Sequence, residues 1–391
     1  MTMKETMKLK KRSRTKLSEV EGNLKIGKGA IIIAEKDTIV IHGKIKNKGG
    51  FKVRGNLQVR EIESDRGSVT VYGDLDVERD AKIDKKLTVQ GSVKAQNLAV
   101  GMTVRIRDTA EVEKISAGMK VILNSSSKVD VVSAGMSVIL KGKENEISKV
   151  SAGMSAKLYG SGKYEAVSAG MKIKSVGGTI GSASAGMSMI VTGPAKIDSV
   201  SAGMSLKLKD TAEIGNASAG MRLKASKNLT FEKISAGMSA IINGKAIGER
   251  ISVGMKLVAK EITIQGKVSV GMKIKANNNI TCDELSVGRT IIAKYVKARR
   301  ITISKRGRLR ADASADEIIL GERAKARNIV ALDLEMHEKS RAKNVYVERL
   351  IIEDGATITG TLEYTDAIDV ESGAKIRKEP KKVAKLPEHK I

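Results

Sequence analysis

The chain reads as an all-β protein, a single long parallel β-solenoid with about 17 residues in each coil. The first observation behind this is a recurring phrase, Ser-Ala-Gly-Met or a close variant. It returns from Gly101 through Gly118, Gly135, Gly153, Gly170, Gly186, Gly203, Gly220, Gly237, Gly254 and Gly271 to Gly288, at spacings of 16 to 18 residues. The second is alternation of apolar and small or polar residues around each glycine, as in Val132-Ser133-Ala134-Gly135-Met136-Ser137-Val138-Ile139-Leu140. A period of two predicts a strand with one buried face, whereas a helix needs a period near 3.6 and pays about 1 kcal/mol for a central glycine. The third is composition: aromatics make up 2% of the chain, Trp is absent, and the three prolines are Pro194, Pro380 and Pro387. A narrow interior of Val, Ile, Leu, Ala and Met suits a short coil, and stacked strands need every backbone N–H.

From the N-terminus, residues 1–21 lack periodicity and carry Lys4, Lys8, Lys10, Lys11, Arg12, Arg14 and Lys16, so they read as a disordered basic tail. Met3, Met7 and Leu9 among these charges leave open weak docking on an anionic membrane surface. Residues 22–378 read as the solenoid rod, roughly 100 Å long at about 4.8 Å per coil. Its first coils carry the phrase apolar-x-Gly-x-apolar, as in Ile41-His42-Gly43-Lys44-Ile45 and Val53-Arg54-Gly55-Asn56-Leu57. Residues 98–289 form the Ser-Ala-Gly-Met block. Beyond Arg289 the grid blurs, although Ile301-Thr302-Ile303 and Val345-Tyr346-Val347 still read as strands. Residues 379–391 read as a second disordered tail.

The apolar-x-Gly-x-apolar coils, the non-periodic tails and the closing stretch from Gly360 to Ile376 resemble the bactofilins, a family of polymer-forming cytoskeletal proteins. The resemblance covers residues 24–98 and 350–378; across the middle it is architectural. It implies a right-handed, three-sided β-helix that assembles through its terminal coils, head to head and tail to tail, into nonpolar filaments without nucleotide. This chain is longer and inserts the Ser-Ala-Gly-Met block. Independently of the resemblance, a solenoid ends in two open sheet edges that pair with another chain unless capped. The expected function is therefore a non-enzymatic structural protein, its main partner a second copy of itself.

Within the block, Ser two places before the glycine and the glycine itself should form parallel columns: Ser116, Ser133, Ser151, Ser168 and Ser201 beside Gly118, Gly135, Gly153, Gly170 and Gly203. Such a strip, bare of side-chain bulk, could pack against a second strip; equally, the glycine could serve only a bend. The methionine after each of these glycines but the last, where Arg289 follows Gly288, is expected to point inward and stack as a ladder.

The formal charge of +27 favours a polyanion such as nucleic acid, an anionic lipid surface, or simply solvation. The densest cationic stretch holds Arg289, Lys297, Arg299, Arg300, Arg306, Arg308 and Arg310, continued by Arg323 and Arg327. Arg289, Arg306 and Arg323 are 17 apart, as are Arg310 and Arg327, so each set is expected to stack in a column. Stacked guanidinium groups suit phosphates, and the lack of interleaved aromatics points to backbone contacts without base reading. A basic solenoid that coats nucleic acid is thus the alternative function. Solvation and inter-subunit salt bridges remain open for the same residues.

The sequence offers no catalytic constellation. His42, His337 and His389 show no metal-ligand spacing, and there is no phosphate loop or nucleophile elbow. No cofactor, metal or small-molecule substrate is expected. The lone Cys282 reads as a buried thiol and, with no apolar run long enough to span a bilayer, fits a cytoplasmic protein.

Overall fold

In a computed structural model, which describes residues 6–210 and 212–386, the protein is all-β, with no helix among the described residues. It divides into two compact units, Met1–Ser199 and Val200–Ile391. Each is a stack of parallel strands in which a residue pairs with one 16 to 18 places later through most of its length.

The coil beginning at Ala110 shows how sequence becomes structure. Ala110 and Val112 point inward, then Glu113 and Lys114 are exposed in succession, and the chain bends. Ile115 and Ala117 point inward next, Gly118 and Met119 are both exposed, and the chain bends again. Val121 and Leu123 are buried, and Asn124–Ser126 close the turn. Two outward residues in a row mark each bend, so the coil has three faces, here named A (Ala110–Val112), B (Ile115–Ala117) and C (Lys120–Leu123). The next coil repeats this in register: Val112 pairs with Val129, Ile115 with Val132 and Val121 with Val138. Each Val, Ile or Leu so enclosed contributes about 1.5–3 kcal/mol of burial. The interior has room for few rings; Phe51, Tyr164 and Phe231 are buried there.

This geometry corrects the expected nine-residue strand and the inward methionine ladder. In the block, strands Ser127–Ala134 and Ser137–Leu140 are separate, joined by the Gly135-Met136 bend. Because the bend holds two outward residues, alternation changes phase there and the methionine faces solvent. Met119, Met136, Met154, Met171 and Met187 in the first unit, and Met204, Met221, Met238, Met255 and Met272 in the second, are 38–45% exposed. They form an external rail along the B/C corner of each unit.

The two expected tails are also corrected. Met7–Leu9 pairs with Leu24–Ile26, Arg14–Leu17 with Ile31–Ala34, and Glu19–Val20 with Val40–Ile41. Residues 7–20 of the basic segment are thus paired as a first coil, and residues 1–5, with Met3 and Lys4, lie outside the described residues. At the other terminus Lys381–Lys382 pairs with Glu363–Tyr364, and residues 387–391 lie outside the described residues.

The B/C corner is built differently away from the block. After Arg289 it becomes a four-residue turn closed by a backbone hydrogen bond, as from Gly307 N to Ser304 O at 2.9 Å and from Ala324 N to Gly321 O at 2.9 Å. Its third residue takes positive φ: Arg306 at 59°, Arg323 at 57°, Lys339 at 57° and Gly355 at 67°. Arg12 at 53° and Gly29 at 72° occupy the same place near the N-terminus. The apparent blurring of the repeat is this change of corner, not an end to the coils.

Candidate interaction surfaces

The serine column forms as the spacing predicts. Ser116, Ser133, Ser151 and Ser168 pair in sequence on face B, and Ser201 holds the equivalent place in its own coil. Gly118, Gly135, Gly153 and Gly170 follow along the adjoining corner, and Gly203 stacks against Gly220. The glycines have a sufficient internal reason. A Cβ on Gly118 would overlap the Gly101 carbonyl oxygen, and one on Gly135, Gly153 or Gly170 would overlap that of the preceding glycine. The requirement is close approach of stacked backbones, with no positive φ involved. The strip is also not smooth, because the methionine rail stands directly beside it.

The cationic residues separate by face. Lys297 projects from face A, and Arg299 and Arg300 sit at the A/B corner, where acids of neighbouring coils meet them. Arg299 Nε donates to Asp283 Oδ1 at 2.8 Å, and Arg300 Nε to Glu317 Oε2 at 2.7 Å. The hydrogen bond from Arg299 holds the Asp283 carboxyl below its ordinary range. Lys305 does the same to Glu322, which also lies 3.5 Å from Arg323. The stretch that looked acid-free along the chain is thus partly neutralised across coils.

The remaining cations gather on face C and its corner. Arg308, Lys325 and Arg341 pair in one column, with Arg310 and Arg327 in the next. Arg306 and Arg323 share the adjoining corner, as expected. Arg289 does not stack with them: this coil takes 18 residues, pairing Thr290 with Arg308, and puts Gly307 beside Arg289. Arg289 instead holds the corner place that methionine holds in earlier coils. Among the described residues, Arg289, Arg306, Arg308, Arg310 and Arg327 show no ion pair.

Tracing face C through the second unit extends the pattern beyond the residues the sequence singled out. One outward column runs Ser205, Arg222, Ser239, Lys256, Lys273, Thr290, Arg308. Its neighbour runs Lys207, Lys224, Ile241, Val258, Lys275, Ile292, Arg310. Neither contains a carboxylate. In the first unit the row Lys86, Thr103, Lys120, Ser137, Ser155, Lys172 is likewise free of acid. Face A is the opposite. Its outward column Asp76, Lys94, Glu111, Lys128, Glu146, Lys163 alternates in sign, with Lys94 3.5 Å from Glu111. The signal for face C was present as basic-x-basic at coil spacing, in Lys207-x-Lys209, Arg308-x-Arg310, Lys325-x-Arg327 and Arg341-x-Lys343. In the second unit Met204, Met221, Met238 and Met255 wall a shallow groove with Lys207, Arg222, Lys224 and Lys256.

Two clusters could hold a cation: Glu19, Glu21 and His42, and Glu335, His337 and Glu353. In each the histidine meets a carboxylate of a neighbouring coil, His42 Nε2 to Glu19 at 2.7 Å and His337 Nδ1 to Glu353 at 2.8 Å. In each, two members stand two residues apart on one coil and the third, His42 or Glu353, is brought to them from a neighbouring coil by stacking. Cys282 is buried and its thiol is pushed up to about 12, first by desolvation and then by Asp283, which makes it a poor nucleophile.

The two ends present open strand edges. Among the described residues, Met7–Leu9 and Arg14–Leu17 each pair on one side alone, and so do Ile368–Val370 and Lys375–Ile376. Core-type side chains are uncovered there: Met7 is 38% and Val370 39% exposed. No described helix is long and apolar enough to cross a membrane. No family model, no curated protein and no solved structure matches this chain.

Proposed function

We propose that this protein is a structural, non-catalytic polymer former whose copies associate through their terminal coils into filaments. One observation carries the reading: among the described residues, both terminal coils leave strand edges unpaired beside apolar side chains of the kind that face inward in the coils between them. Such an edge is a template for another strand, and pairing with it satisfies the backbone while covering the apolar positions. The resemblance of residues 24–98 and 350–378 to a filament-forming family supports the same conclusion. Negative-stain microscopy of the full chain, without nucleotide or polyanion, tests it. Filaments are the expected result; a monodisperse monomer at every concentration and salt would overturn it.

The acid-free face C favours a second reading, in which the same solenoid lies along a polyanion. Rows of Lys and Arg about 4.8 Å apart suit phosphates and carry no base-reading groups. Binding should be independent of nucleic-acid sequence and should weaken steeply with salt, and assembly that needs DNA would favour this reading over the first.

A further inference from the structure

The structure assigns a soft-metal site to the external methionine rail: thioethers one coil apart hold Cu(I) between them, and the gap between Met136 and Met154 is the clearest instance. The site does not depend on whether copies polymerise.

The first observation is a side chain that the fold does not require. The place after the block glycine faces solvent, and Arg289 fills it in the last repeat with the same two-residue bend. Yet Met stands there in the other eleven repeats. The residue one place later also faces outward, and it varies among Thr, Lys, Ser and Arg over the same repeats. Both positions share one repeat history, so duplication alone does not explain why only the first is uniform.

The second observation is alignment. In the first unit the Met136 amide donates to the Met119 carbonyl at 2.9 Å, Met154 to Met136 at 2.9 Å, Met171 to Met154 at 2.9 Å and Met187 to Met171 at 3.0 Å. Their side chains are 40–43% exposed, the uniformity expected of one repeated conformation. The sulfurs therefore recur at the coil spacing of about 4.8 Å. Half of that, about 2.4 Å, is an ordinary metal–sulfur distance, close to the figure of about 2.3 Å for zinc thiolates. An ion midway between two sulfurs is bound in line, and the flexible methionine side chain can adjust to it. In-line binding by neutral sulfur suits Cu(I), whereas Zn(II), Mg(II) and Ca(II) favour thiolate, imidazole or oxygen ligands. The lack of metal-ligand spacing among the histidines does not bear on a site built from thioethers alone.

The surroundings rank the gaps. Ser133 and Ser137 stand on either side of Met136, and Ser151 and Ser155 on either side of Met154, so a single positive charge enters with no lysine next to it. Lys120 follows Met119 and Lys172 follows Met171. In the second unit Met221 donates to Met204 at 3.0 Å and the file continues, but Arg222, Lys256 and Lys273 stand beside it and repel a cation.

NMR of the full chain, with labelled methionine methyl groups and Cys282→Ala to remove the competing thiol, tests the site. Ag(I), a redox-inert stand-in, is added as the nitrate in chloride-free buffer, and Cu(I) is added separately under anaerobic conditions. The methyl signals of Met136 and Met154 should move first with either ion, and those of the buried Met189 and Met336 should stay. The response should be the same in mildly acidic and mildly alkaline buffer, because a thioether has no proton to release. Met136→Leu with Met171→Leu leaves Met154 two coils from the next thioether, and its signal should no longer move. Met119→Leu with Met187→Leu removes as many thioethers but keeps Met154 between two neighbours, and its signal should move as before. All four replaced side chains are exposed, and unchanged signals from Met189 and Met336 would verify the fold of each variant. A rail silent to both ions, a response to Ag(I) but not Cu(I), an equal response to Zn(II), or the same response of Met154 in both variants would overturn the site.

Discussion

The same corner of the coil is made in two ways, and the difference explains what each region tolerates. In the Ser-Ala-Gly-Met coils the B/C corner is two residues long and needs no left-handed residue, but it brings each glycine against the carbonyl of the preceding one. After Arg289, and in the first two coils, it is a four-residue turn with a residue at positive φ that is often Arg or Lys. The block therefore fixes the glycine and frees the residue after it. The flanks free the side chain and accept local strain instead.

The largest effect expected from this comparison is at a block glycine. Gly153→Ala should destabilise the first unit by about 3 kcal/mol or more, since the clash is with backbone that cannot move aside. Urea unfolding, with hydrogen exchange around residues 135–170, would check it; a loss below about 1 kcal/mol would mean that the corner relaxes. Next, Ile173→Ala and Met171→Ala alter one coil on opposite sides of its wall. The first should cost about 3 kcal/mol and the second less than about 0.5 kcal/mol, because Ile173 is fully enclosed and Met171 faces solvent. Similar costs would return the methionines to the core. In the flanks Arg306→Gly should stabilise the fold by up to about 1 kcal/mol, by removing the left-handed penalty of a residue with a Cβ.

Smaller effects should appear in the chemistry of the exposed and enclosed sulfurs and in acid. Mild peroxide should oxidise the rail methionines of the folded protein. Cys282 should meanwhile resist a thiol reagent at pH 8 until the coil is unfolded, because its thiol is pushed up to about 12. The carboxyls of Glu63 and Asp333 are lowered chiefly by hydrogen bonds from Lys44 and Arg349. The folded state therefore holds fewer protons than the unfolded chain. The stability these pairs supply is present above the ordinary carboxylate range near pH 4 and is lost as pH falls through the lowered values. Exposure keeps the effect small, and a weak acid-side slope in melting temperature that becomes shallower in Asp333→Asn with Glu63→Gln would show it.

Coil length, strand type and stacking register were legible because a constant spacing leaves one solution. The outward methionines were not, since alternation cannot reveal a bend that inserts a second outward residue. At the A/B corner that signal is visible as Glu113-Lys114, two charges in a row; at the B/C corner Gly-Met hides it. The first coil was masked by its charge, although Met7-x-Leu9 stands 17 residues before Leu24-x-Ile26. The basic belt between 289 and 310 mixed three faces because neighbours along the chain diverge around the coil. The acid-free face emerges only when residues are read one coil apart.

The two-residue corner has a consequence for lineage. Gly153 meets Gly135 as Gly135 meets Gly118, so excising residues 119–135 would join surfaces that already fit one another. Replication slippage over such near-identical segments could lengthen or trim the first unit in increments of about 4.8 Å. The terminal coils would be left unaltered, so span could drift between descendants while both ends stay the same.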